Sequence, residues 1–70
     1  MREEDDGHPR EPGEVRTFAE IRLKGTMRPG HAALLLIQGV DAFEVEHDKC
    51  VSRLYITLND SSVRCEAFYR

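Results

Sequence analysis

Few residues in this 70-residue chain have the types and spacing that chemistry requires. His47-x-x-Cys50 has the spacing of a zinc-ligand pair, and His31 and Cys65 would complete a Cys₂His₂ set. Structural zinc sites bring a closely spaced pair at each end, whereas here one end alone has a pair. A metal or other cofactor is therefore not expected. Nucleophilic catalysis would need a thiol or hydroxyl beside a histidine held by a third group. His47 and Cys50 are the one such pair that short-range geometry joins, on a turn with no glycine elbow or anion-binding nest beside it. Asp41, Glu44, Glu46 and Asp48 form an acidic run, but calcium ligation needs a tighter oxygen cluster. With no phosphate-binding loop, dinucleotide fingerprint or paired-carboxylate motif, the chain reads as a non-enzyme with no catalytic residues.

The strongest functional signal is a mixture of guanidinium and aromatic groups near the end of the chain. Arg53, Tyr55, Arg64, Phe68 and Tyr69 are the expected partner-binding residues, because arginine and aromatics dominate protein interfaces. The same side chains can stack single-stranded nucleobases, with Arg16, Arg22, Lys24 and Arg28 supplying further charge. Glu44 and Glu66 interrupt the positive charge, which favours a protein partner over a phosphate backbone. The plainer account is a solvated sheet face with ordinary cross-strand pairs.

Those residues need elements to position them. Val15 to Lys24 alternates: Val15, Thr17, Ala19, Ile21 and Leu23 share one side, with Arg16, Phe18, Glu20, Arg22 and Lys24 on the other, as in a half-buried strand. Residues 25–30 contain Gly25, Pro29 and Gly30 and read as a loop. Residues 31–38 are apolar on all sides and short for a helix, so a buried strand with a bend at Gly39 is the favoured reading. A turn at Asp48-Lys49 would set Glu44 opposite Arg53 and Phe43 opposite Leu54. A turn at Asn59–Ser62 sets Leu58 opposite Val63, Ile56 opposite Cys65 and Leu54 opposite Ala67. Both turns gather Phe43, Val45, Leu54, Ile56, Leu58, Val63, Cys65 and Ala67 on one face, and a slip of one residue would scatter them. The expected fold is thus all-β, a small antiparallel meander or partly open barrel of four to five strands. The alternative is an α+β fold with a short helix near 31–38 covering the sheet. The register separates Cys50 from Cys65 by about 20 Å along the strands, so both are expected as reduced thiols.

Composition bounds the rest. All 28 apolar residues except Met1 lie from Val15 onward. Residues 1–14 are expected to be a disordered acidic tail and residues 15–70 a single small β-rich domain. The tail holds six acids and two arginines, net −4, and the remainder eight bases and seven acids, net +1. Acidity therefore belongs to the tail and supports no global argument for a nucleic-acid binder or mimic. The longest apolar run, Ala32 to Ile37, is too short to span a bilayer. With no hydrophobic leader, the expected compartment is the cytoplasm. The expected function is a protein-interaction module: a small regulator, inhibitor or accessory subunit. So small a core raises the expectation of a partner chain or homodimer. Val63 to Tyr69, last in the chain, is the expected exposed edge, its association burying Phe68 with Tyr55 or Arg53.

Overall fold

The structure, a computed structural model, describes residues 8–70. Its elements are β1 (Val15–Arg22), α1 (Pro29–His47), β2 (Val51–Leu58) and β3 (Ser62–Tyr69). The three strands form one sheet in the order β1-β3-β2, with β3 antiparallel to both neighbours. β1 and β2 therefore run parallel with β3 between them, and α1 crosses from one edge strand to the other. This is a split β-α-β unit closed by the β2–β3 hairpin.

The all-β expectation of four to five strands is overturned: three strands and one helix make an α+β fold. Nor is the helix a short cover near 31–38. It has 19 residues and continues through Gly39 into the segment expected to be a strand. Pro29 in the first turn presets φ and forgoes an N–H that would lack a partner there. Alanine, leucine, glutamine and glutamate then favour helix along most of its length. The residues turned to the sheet are Ala32, Leu36, Val40 and Phe43, spaced four, four and three apart. Helical spacing buries Val40 beside Phe43 and leaves Val45, expected on the apolar face, 85% exposed. Asp48 ends the helix in the left-handed region, at φ 53° and ψ 51°. The N–H groups of Asp48 and Lys49 both donate to Glu44 O. The residues read as a hairpin turn are thus a helix C-terminus. The pairs Glu44–Arg53 and Phe43–Leu54 do not form as cross-strand pairs. Glu44 instead accepts from the Val51 N–H at 2.8 Å.

The second hairpin has the expected register, with Leu58 opposite Val63, Ile56 opposite Cys65, Leu54 opposite Ala67 and Tyr55 opposite Glu66. Asn59 fixes the turn, its Oδ1 accepting from the N–H groups of Ser61 and Ser62 and from Ser62 Oγ. A register shift between Val51 and Arg53 leaves Ser52 as the extra residue of a bulge. The apolar face of β3 (Val63, Cys65, Ala67 and Tyr69) lies beneath Ala32, Leu36 and Val40 of α1. Cys50 is exposed and Cys65 buried, both with free thiols.

The last strand is not an edge. β3 is central and almost wholly buried, because β1 returns to pair along its whole length. The edges of the sheet are β1 and β2. Among the described residues no helix is long and apolar enough to cross a membrane.

Candidate functional site

The sheet has two faces, and α1 covers one. On the other, β1 contributes Arg16, Phe18, Glu20 and Arg22, β2 contributes Arg53, Tyr55 and Thr57, and β3 contributes Arg64, Glu66 and Phe68. Period-two alternation puts them there, and the observed pairings bring them side by side. Four of the five expected partner-binding residues, Arg53, Tyr55, Arg64 and Phe68, share this face. Tyr69 does not. It lies on the helix side with 1% of its surface exposed, its ring 4.3 Å from that of Phe43 and its hydroxyl 3.1 Å from Thr17 Oγ1. Adjacent strand residues point to opposite faces, so Phe68 and Tyr69 cannot both serve one surface.

Residues 8–14, read from the sequence as part of a disordered tail, lie as a strap across this second face; residues 1–7, the rest of that expected tail, lie outside the described residues. Glu14 is the strap's anchor. It is buried, and the Arg53 guanidinium grips it as a fork, Nη2 to Oε1 at 2.6 Å and Nε to Oε2 at 3.3 Å. Ser52 Oγ donates to Glu14 Oε2 at 2.6 Å, and the Glu11 N–H donates to Oε1 at 2.8 Å. Hydrogen bonding from Arg53 outweighs burial, and with help from Ser52 and Glu11 it holds the Glu14 carboxyl down at about 2. Glu14 in turn raises the Arg53 guanidinium further above its ordinary value. Arg53 also donates to Pro9 O at 2.8 Å and lies over the Phe68 ring, 4.0 Å from its centroid.

His8 makes the second attachment. Its ring stacks on Tyr55 with centroids 3.6 Å apart and planes 8° from parallel. Its Nδ1 lies 2.7 Å from Glu66 Oε1, and its backbone N–H donates to both Glu66 carboxylate oxygens. Arg16 Nε donates to Glu66 Oε2 from the neighbouring strand at 2.5 Å. Burial pushes the Glu66 carboxyl upward, but hydrogen bonds from His8 and Arg16 together bring it below its ordinary value. Phe68 sits beneath all this with 0% exposure, and Tyr55 meets it edge-on. Arg64 Nε lies 3.5 Å from Glu20 Oε2 across β1 and β3.

Sequence reading missed Glu14 and His8 because their segment has no apolar side chain and the partners lie 39 and 58 residues away. One signal was legible: Glu66 and Arg53 share their face with the aromatic Tyr55 and Phe68, and charges buried there require partners.

The remaining candidates do not converge. Lys24 and Arg28 line an open concavity of about 500 Å³ with Thr26, Met27 and His31, away from the strap. His47 packs on Phe43, 4.1 Å between centroids, while Cys65 is in the core. Among the described residues no three His, Cys, Asp or Glu side chains group to hold a metal ion. Between α1 and β1 runs a mostly apolar groove of about 220 Å³, with Thr17, Ala19, Leu35 and Gly39 in its walls.

No family model matches the chain, and neither a curated protein nor a solved structure is detectably similar to it.

Proposed function

We propose that this chain is a non-enzymatic protein-interaction module, a small regulator, inhibitor or accessory subunit. The observation that carries this reading is the outward face of α1. Leu34, Ile37, Asp41 and Val45 are spaced three, four and four apart and form the stripe turned away from the sheet. Leu34 is 53% exposed, Ile37 37% and Val45 85%. A helix on a monomer's surface normally turns its polar residues outward, and an outward stripe in which three of the four residues are apolar fits a partner that covers it. On the opposite face Arg16, Glu20, Arg53, Arg64 and Glu66 are engaged with one another or with the strap, which is a structural use. Two unpaired thiols suit a reducing compartment, so the cytoplasm is the proposed location.

Arg53, Tyr55 and Phe68 join this reading as the strap's receptor, with Arg64 on the same face, and a partner reaches them by displacing residues 8–14. Single-stranded nucleic acid is the competing occupant. Its bases would have to take the place of His8 on Tyr55. The test is affinity capture from the source cell with the wild-type chain and with Leu34→Glu/Val45→Glu, both checked for fold by circular dichroism. Loss of specific prey from the double variant is the expected result. Identical prey on both would exclude the α1 stripe. Binding of an oligonucleotide that weakens steeply with salt would favour the nucleic-acid reading, because phosphate contacts release counterions.

A further inference from the structure

Resting on that reading, we propose that the first partner of this domain is a second copy of itself, joined through the outer edge of β1 into a continuous six-stranded antiparallel sheet. Among the described residues nothing pairs with that edge. The direction of its unpaired groups follows from the inner side. The Leu23 N–H donates to Ser61 O at 2.8 Å, so the odd-numbered residues of β1 address β3. Alternation then turns the backbone N–H and C=O of Arg16, Phe18, Glu20 and Arg22 outward.

Two copies related by a two-fold axis must pair even residues with even residues. Centred on Phe18, the pairing sets Phe18 against Phe18 of the second copy and Arg16 against Glu20, twice. On the helix side it sets Val15 against Ile21, twice, and Thr17 against Ala19. Every opposed pair is apolar, neutral or oppositely charged, which is the condition for cross-strand stabilisation. Sliding two residues one way sets Arg16 against Arg22. Sliding two the other way turns Glu20 toward Glu14 and loses both ion pairs. One register is thus selected by charge, with a self-complementarity that an isologous interface requires.

The exposed residues agree. Phe18, the apolar exception on the charged side of its strand, is 48% exposed, and Val15 is 37% exposed. Arg16 and Glu20 already bond Glu66 and Arg64 within the chain, so the new contacts would extend an alternating row of charges across both copies. Beneath the helices, the walls that β1 gives to the α1 groove would become one floor. β2, the other edge, carries a bulge and offers no charge pattern to choose a register.

The experiment is sedimentation of the full chain and of two charge variants, Arg16→Glu and Glu20→Arg, singly and mixed. The wild type should dimerise, and each variant alone should weaken association about tenfold or more, since both ion pairs become like-charge pairs. An equimolar mixture should recover the dimer, because Glu at 16 in one copy then faces Arg at 20 in the other. Phe18→Cys in a Cys50→Ser background gives the register independently. Its paired Cα atoms would lie about 5.5 Å apart, within disulfide reach, whereas Arg22→Cys should not cross-link. A chain that stays monomeric at the highest concentration it reaches overturns the dimer, while the wider interaction reading is decided by the α1 capture experiment. A dimer indifferent to Glu20→Arg, or one cross-linked by Ile56→Cys and not by Phe18→Cys in the same Cys50→Ser background, overturns the β1 interface.

Discussion

Glu14 joins the strap to the sheet through one carboxylate that meets Arg53, Ser52 and the Glu11 backbone together, and this makes stability depend on acid. A carboxyl held at about 2 in the fold and near 4.5 when unfolded contributes stability that is complete above 4.5 and disappears as pH falls toward 2. Glu66 is lowered as well and acts in the same direction. Acid titration followed by circular dichroism should show the melting temperature declining below about pH 4.5. Glu14→Gln should start lower at neutral pH and show a shallower acid limb. A limb unchanged by that substitution would place the acid sensitivity elsewhere. The thiols provide a second residue-scale check. Cys50 is exposed, while burial pushes the Cys65 thiol upward and shields it. A chromogenic disulfide reagent should modify one thiol quickly in the native chain and two after denaturation. Two fast thiols would mean that the core is open.

At the scale of the element, α1 is the part of the fold that packing decides. Its apolar residues surround the helix axis, so the phase of burial has to be read from Ala32, Leu36 and Val40 against β3. Leu36→Ala should cost about 2–5 kcal/mol in chemical denaturation by leaving a cavity. Leu34→Ala, on the outward stripe, should cost much less, and equal losses would mean that the helix is rotated. Gly39 stands in the interior of the helix, and a Cβ built there meets nothing within 4 Å. Gly39→Ala should therefore stabilise the chain by roughly 0.5–1 kcal/mol, by lowering the backbone entropy lost on folding. Destabilisation would show that α1 breaks at that residue in solution, as the sequence reading of a bend supposed.

The whole molecule is a three-layer object built from 63 described residues: helix, sheet and strap. The strap takes the place of a second packed element over Phe68, Tyr55 and Arg53, with ion pairs and one stacked histidine in place of an apolar stripe. A chain beginning at Val15 should consequently melt lower than the full chain and bind a hydrophobic dye more strongly, because Phe68 and Tyr55 lose their cover. An unchanged melt would mean that the strap rests on the sheet without stabilising it. High salt should act in the same sense as truncation but more weakly, since the Arg53–Glu14 pair is shielded from solvent and the outer Arg70–Glu11 pair is exposed.

Local sequence was enough for the elements whose period and turns are contained within them. β1 alternates over its own length, and the β2–β3 register follows from Asn59, the serines and an alternation that tolerates no slip. The two thiols and the sharing of one face by Arg53, Tyr55, Arg64 and Phe68 follow from that register alone. Residues 31–47 were different, because an apolar run carries no phase: strand and helix would each bury Ala32, Leu36 and Val40, and the choice rests on how one face fits β3. The place of β3 at the centre was equally hidden. Nothing in residues 62–69 says that β1, some 40 to 54 positions away, returns to pair with them. The strap's contacts were least legible of all, since an acidic segment without apolar side chains meets charges on a distant face, and only the folded sheet brings Arg53, Tyr55 and Glu66 together to receive it.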